Sequence, residues 1–150
     1  MTKKITIILL GILGAIISAA IGTFWYSMKT PMGRVHLQST GFSNYSPEEQ
    51  QRKIQEMKPK MWKYYLLQMI LSFVTSVFIA SIMTAQKGFG SGVIYGEIAG
   101  VWLCFTVPLI GQSLLWGNID QKLRWKKFFS DSLSNLVTFM VIVFVFSFIV

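Results

Sequence analysis

The sequence predicts an all-α integral membrane protein, a four-helix bundle with a short extra helix in its first connection. Hydrophobic residues make up 53% of the 150-residue chain and charged residues 13%, about half the charged share of a globular protein. Four apolar runs are each long enough to cross a bilayer, which takes about 20 helical residues. The period-two alternation of membrane β-strands is absent, and this favours helices over a barrel.

The four spans are expected in one membrane domain that covers residues 1–150. We place them at about 5–26, 64–84, 93–116 and 128–150, with a polar connection at 27–63. The first span also resembles a signal peptide, because two lysines precede its apolar core and Ser18-Ala19-Ala20 resembles a cleavage site. We reject that interpretation, because the apolar run continues past the site and cleavage would leave a strongly basic connection outside the cell.

The distribution of positive charge predicts the orientation. Of the 14 Lys and Arg residues, seven lie in connection 27–63, four in connection 117–127 and three elsewhere. Basic connections stay in the cytoplasm, so we expect a multi-pass protein of the cell (inner or plasma) membrane with both termini outside. The net charge of +8 does not indicate nucleic-acid binding, because the basic residues lie between apolar runs. The expected partners are the lipid bilayer and a second copy or another membrane protein.

The connections contain two local signals. Ser46-Pro47-Glu48-Glu49 predicts a helix start with a serine N-cap, and Pro59 is expected to end that helix after Lys58. This short helix lies on the membrane surface or forms a solvated linker, and the sequence leaves both open. Connection 85–92 is glycine-rich and predicts a tight helical hairpin. His36 has no metal-ligating neighbour in sequence and is expected to be a surface residue.

Small residues recur at every fourth position in three spans, which places each set on one helix face. The sets are Gly14, Ser18 and Gly22; Ser72, Ser76 and Ala80; and Gly92, Gly96 and Gly100. Such faces let helices approach closely in a membrane, so we expect helix packing there, with a lipid or substrate groove as the alternative. In the third span we expect Gly96 to face another helix and Ile98 to face lipid.

Polar residues inside the spans are the candidate functional residues. Glu97 is the main one: it is an intramembrane carboxylate or a solvated residue at headgroup level. Asp131 is expected near the start of the fourth span. There the helix dipole favours a carboxylate, and the side chain could also pair with Lys127. Gln68 and Gln112 are candidates for interhelical hydrogen bonds. Pro108 is expected to kink the third span.

The sequence contains no catalytic constellation, and we expect no enzyme activity, cofactor or metal. The only cysteine, Cys104, has no partner for an intramolecular disulfide. The favoured function is therefore a non-enzymatic accessory or structural membrane component. The alternative is a small-solute or ion transporter or channel that acts as an oligomer, because four helices hardly enclose a pathway.

Three segments together resemble domain-of-unknown-function family 1761, small prokaryotic four-helix membrane proteins. They are Gly22-Thr23-Phe24-Trp25-Tyr26-Ser27 with Pro31 and Gly33, then Gly41-Phe42 before the Pro47-Glu48-Glu49 helix start, and finally Phe129-Ser130-Asp131. The chain departs from many members in its longer, more basic first connection and in lacking a bulky aromatic residue after Gly33. The resemblance implies a four-helix membrane protein and transfers no catalytic residues.

Overall fold

The computed structural model describes residues 3–86, 88, 90–116 and 119–150, with the side chains of Lys60 and Ser91 excepted. These residues form helices and no strand. The helices are α1 (Lys3–Trp25), α2 (Pro31–Ser39), α3 (Pro47–Ala85), α4 (Ser91–Val101), α5 (Val107–Leu115) and α6 (Gln121–Phe146). A one-turn 3₁₀ helix follows α2 at Phe42–Asn44, and a π-helical segment at Trp102–Thr106 joins α4 to α5.

Four helical stretches are long and apolar enough to cross a membrane, and they confirm the predicted fold class. They are Lys3–Trp25, Met61–Ala85, Gly92–Leu115 and Gln121–Phe146. The fourth span, α6, begins earlier than expected. The Asp120 side chain caps it by accepting hydrogen bonds from the backbone N–H groups of Lys122 and Leu123. The end of each span that joins connection 27–63 or 117–127 is called the basic end below.

The core lies between α1, α3 and α6. Its buried side chains include Leu10 from α1, Ile79 and Met83 from α3, and Ile142 and Phe146 from α6. Because lipid is as apolar as these side chains, close van der Waals packing rather than hydrophobic burial holds such helices together. These three helices therefore form the structural centre of the molecule.

The third span lies at the edge of this centre. Only 6% of the most apolar stretch of this span is buried inside the protein, against 22–28% of the corresponding stretches in the other three spans. It contacts the centre through Ile98, which is 1% exposed, and through Trp102, whose indole Nε1 donates to the Ser132 carbonyl oxygen at 2.9 Å. The expectation that Ile98 faces lipid was wrong, because the isoleucine side of this helix packs inward and the Gly96 side faces out.

The π-helical segment has a local cause. Pro108 has no N–H to donate to the carbonyl of Cys104, and the helix widens immediately before it, so that the Val107 N–H bonds to the Trp102 carbonyl five residues back. The sequence predicted a kink at Pro108; the structure shows a π turn immediately before it, a feature at which helices commonly bend.

The prediction that Pro59 ends a short helix was wrong. Helix α3 runs for 39 residues through Pro59 and includes both the predicted short helix and the second span. Pro59 lies on an exposed part of the helix and leaves the carbonyl of Gln55, also exposed, open to water, so the lost bond costs less than it would inside the bilayer. The predicted capping box at Ser46 and Glu49 is present.

The first connection does contain a separate short helix, but it is α2 at Pro31–Ser39 and not the helix predicted after Ser46. Thr30 is its N-cap, with a side chain that accepts from the Gly33 N–H at 3.0 Å, and Pro31 is at its first position. In the second connection α3 ends at Ala85 and α4 begins at Ser91, as a short hairpin requires. Lys87 and Phe89 of that connection lie outside the described residues.

Candidate functional site at the basic end of the bundle

Two segments that are far apart in sequence meet at the basic end. The indole Nε1 of Trp25 donates a hydrogen bond to the Ser130 hydroxyl at 3.3 Å. The hydroxyl of Tyr26 donates to Oδ1 of Asp131 at 2.9 Å. Trp25, the last residue of α1, and Tyr26, which follows it, are thereby bonded, side chain to side chain, to the first half of α6.

Asp131 is the centre of this group. Its second oxygen, Oδ2, accepts from Lys127 Nζ at 2.7 Å, and the side chains of the pair are only 16% and 18% exposed. Charge-assisted hydrogen bonds are short and roughly twice as strong as neutral ones. Asp131 lies ten residues beyond the start of α6, so the helix-start role belongs to Asp120 and not to Asp131. Its carboxylate instead holds Tyr26 and Lys127 together.

The turn between α1 and α2 places a further helix against the group. The Thr30 hydroxyl donates to the carbonyls of Trp25 at 2.7 Å and Ser27 at 2.8 Å. A Cβ added at Gly33 would overlap the Ser27 carbonyl oxygen and lie 2.6 Å from its carbon. This backbone approach requires glycine at position 33, and it turns α2 back towards α6.

His36 on α2 completes the polar cluster, defined as Trp25, Tyr26, His36, Lys127, Ser130 and Asp131. Its ring centroid lies 5.0 Å from that of Tyr26, and its buried Nδ1 has no hydrogen-bond partner among the described residues. Burial and the nearby Lys127 charge lower the pKa of His36, while Asp131 opposes them. His36 is thus half-buried against Tyr26, rather than fully exposed as a surface residue would be.

Glu97, the main sequence candidate, lies away from the polar cluster. It is exposed on α4, near the opposite end of the bundle, and its Oε2 accepts a hydrogen bond from the Gln86 side-chain amide at the end of α3. This bond joins the two sides of the second connection. The role of Glu97, as an intramembrane carboxylate or a solvated residue at headgroup level, stays a prediction.

The two glutamine candidates do not bridge helices within the described chain. Gln68 is exposed, and its Nε2 donates at 3.4 Å to Ser72 on the same helix. Gln112 is exposed on α5, and its side chain makes no hydrogen bond to the described residues. The four candidate polar residues thus lie in separate places, and only Asp131 belongs to a connected group.

The small-residue faces differ from one another. A Cβ added at Gly14 would overlap the hydroxyl of Ser76 and lie 2.5 Å from its Cβ, so α1 and α3 meet closely there. Ser18 is half-buried and donates to the Gly14 carbonyl of its own helix at 2.9 Å. A Cβ added at Gly22 meets nothing within 4 Å.

The three glycines of the small-residue face on the third span have no close neighbour among the described residues. A Cβ added at Gly92, Gly96 or Gly100 meets nothing within 4 Å. The described residues therefore show no helix packed against this face, and the expected helix packing there stays a prediction.

Sequence reasoning offered the Asp131–Lys127 pair, which the structure confirms, but it missed the partners that come from the first span. Trp25 and Tyr26 were noted only as part of a motif, and Ser130 was not singled out. The bonded residues are 105 positions apart, and no local pattern in one sequence joins such positions. The Thr30-Pro31 pair at the start of α2 was the readable signal, since a threonine cap followed by proline is typical of a helix start.

Fold and site together define a multi-pass helical membrane protein whose first and last helices are tied by polar side chains at one end. The chain belongs to the family described as Protein of unknown function (DUF1761), whose model matches residues 10–147. The match includes every residue of the polar cluster. Comparison with curated proteins and comparison with solved structures both find no match.

Proposed function

We propose that this protein is a non-enzymatic accessory or structural component of a cell membrane that works by binding another membrane protein or a second copy of itself. The observation that carries the proposal is the third span, which lies at the edge of the bundle with Gly92, Gly96 and Gly100 facing out. Open small-residue faces allow a further helix to approach closely in a membrane.

The polar cluster supports the same proposal from the other end. Two hydrogen bonds join Trp25 and Tyr26, at the end of the first span, to α6, and the Lys127–Asp131 ion pair within α6 holds the accepting carboxylate. Groups used in this way hold helix ends in a fixed arrangement, which suits a structural component. Such an arrangement also fixes the orientation in which the third span is presented to a partner.

Cysteine cross-linking in membranes tests this proposal. In a Cys104→Ala background, Gly96→Cys is compared with Ile8→Cys. Ile8 lies on α1, towards the same end of the bundle as Gly96, and is 52% exposed. We expect a bismaleimide to cross-link Gly96→Cys to a second copy or another membrane protein, and Ile8→Cys to remain uncross-linked. Absence of products from Gly96→Cys, or equal products from both variants, would contradict the proposal.

A second candidate function is transport of a small solute or ion by an oligomer. Exposed Glu97 and Gln112 on the third span favour it, since polar residues there would line a path between chains rather than through one. Flux into proteoliposomes tests it. A flux that Glu97→Gln abolishes supports transport, whereas no flux by the wild-type chain contradicts it.

The proposed orientation places both termini outside the cell and the basic end in the cytoplasm, on the strength of the charge distribution. A cysteine at Gln51, in the Cys104→Ala background, should react with an impermeant thiol reagent only after the cells are permeabilised. A cysteine at Gly90 should react in intact cells. The reverse pattern would overturn the orientation.

A further inference from the structure

We propose that a cleft at the basic end, next to the polar cluster, binds the phosphate group of an anionic phospholipid. The cleft has a volume of about 600 Å³, within the usual range for ligand sites of roughly 300–1,000 Å³. The segment that follows α2 forms one wall with Ser43 and Asn44, and the first turns of α6 form the other with Lys122 and Lys126. Nothing in the proposed function requires this site.

The two lysines carry the argument. Lys122 and Lys126 are four residues apart on α6, so both ammonium groups project to the same side and repel each other. Neither forms an ion pair with any described residue. The adjacent Lys127 behaves differently, because it is paired with Asp131. A phosphate between Lys122 and Lys126 would relieve their repulsion and accept hydrogen bonds from both.

The rest of the lining is compatible with an anion. Ser43 and Asn44 supply a hydroxyl and an amide, and their side chains make no hydrogen bond within the described part of the chain. Asp120 is the one acidic residue in the lining, and its Oδ2 already accepts the backbone N–H groups of Lys122 and Leu123. The cleft therefore contains two ammonium groups and one carboxylate, which is already engaged in capping α6, so its net charge is positive.

The position of the cleft favours a lipid as the source of the phosphate. It lies at the basic end of the fourth span, and Trp125, 58% exposed, is within one turn of Lys122 on α6. Tryptophan side chains prefer the headgroup layer. Basic residues at that depth meet the phosphates of anionic lipids directly. A soluble phosphate carries the same chemistry and is the competing source.

Native mass spectrometry of the full chain in detergent tests the site. Phosphatidylglycerol is titrated against wild type, Lys122→Gln/Lys126→Gln and a control, Lys58→Gln/Lys63→Gln, which removes two basic-end charges outside the cleft. We expect the cleft variant to bind phosphatidylglycerol roughly tenfold more weakly, the control to bind as wild type does, and Lys122→Arg/Lys126→Arg to retain binding. Phosphatidylcholine should bind wild type and the cleft variant equally.

Three outcomes would overturn the proposal or its lipid source. If the cleft variant binds phosphatidylglycerol as wild type does, the cleft is not the site. Equal weakening in the control would show an unspecific charge effect and would also overturn it. If inorganic phosphate raises the unfolding temperature of wild type only, and phosphatidylglycerol binds no better than phosphatidylcholine, the cleft takes soluble phosphate and the lipid assignment is wrong.

Discussion

The first and third spans have the same pattern of small residues every fourth position, yet they use it in opposite ways. On α1 the space left by Gly14 is filled by Ser76 of α3 and by the ring of Phe146, whose Cζ would lie 3.1 Å from an added Cβ. On α4 no atom of the described residues lies within 4 Å of a Cβ added at Gly96, and the opposite side, with Ile98, packs inward. The pattern shows where a close approach is allowed, and the bulkier neighbouring side chains decide which face is used inside the chain.

The largest effect is expected at Gly14. Gly14→Leu should destabilise the fold by about 3 kcal/mol or more, because the new side chain overpacks the contact between α1 and α3. Gly22→Leu on the same helix is the matched control, since its surroundings are open. Denaturant unfolding in detergent, followed by tryptophan fluorescence, measures both. Equal stability of the two variants would show that the close contact at Gly14 does not hold the centre together.

Asp131 comes next in the expected order. Asp131→Leu removes the acceptor for Tyr26 and Lys127 and should cost about 2 kcal/mol in the same unfolding assay. Glu56→Gln breaks a second ion pair with the same spacing of four residues, between Arg52 and Glu56. The side chains of that pair are 71% and 66% exposed. That exposed pair should contribute less than about 1 kcal/mol. If both substitutions have the same effect, the polar cluster is not a structural tie.

A smaller effect is expected from His36. Burial lowers the pKa of His36 in the folded state below its value in the unfolded chain. Protonation of His36 therefore favours unfolding, and the folded state loses stability as the pH falls through and below about 6.5. Lys127, Asp131 and Tyr26 are the ionisable groups that face it. Between pH 7.5 and pH 5, wild type should lose more stability than His36→Gln. Parallel pH profiles for the two proteins would contradict this.

The smallest effect on the single-chain fold is expected at Gly96. Gly96→Leu should change unfolding stability by less than about 0.5 kcal/mol, because nothing lies within 4 Å of the added Cβ. In the Cys104→Ala background with Gly92→Cys on the same face, adding Gly96→Leu should weaken the cross-linking that Gly92→Cys gives alone, since a leucine keeps a second helix at a distance. A loss of stability as large as that of Gly14→Leu would break the contrast between the two spans.

The spans were predictable because a bilayer demands length and apolarity, and both can be read directly from composition. The Ser46 capping box was predictable because its partners are three residues apart. The continuity of α3 through Pro59 was not, because proline in a solvent-exposed helix costs a bond that water replaces. The local rule therefore predicted an end where the helix continues.

The candidate site was less predictable than the fold. Asp131 was selected for its place inside an apolar run, but its partner Tyr26 comes from the other end of the sequence. The inward face of the third span was also misjudged, because glycine spacing indicates a possible contact and not its direction. Side-chain pairing between distant helices depends on how the helices rotate against one another, and one sequence does not record that rotation.

Helix α3 has a mechanical consequence. Its 39 residues amount to a rod of about 58 Å at about 1.5 Å per residue, whereas the hydrocarbon layer is about 30 Å thick. The segment before Met61 therefore projects roughly 20 Å beyond the apolar window. Because the projecting segment and the span are one helix, a tilt of the membrane segment would displace the Ser46-capped end farther than it displaces residues inside the bilayer.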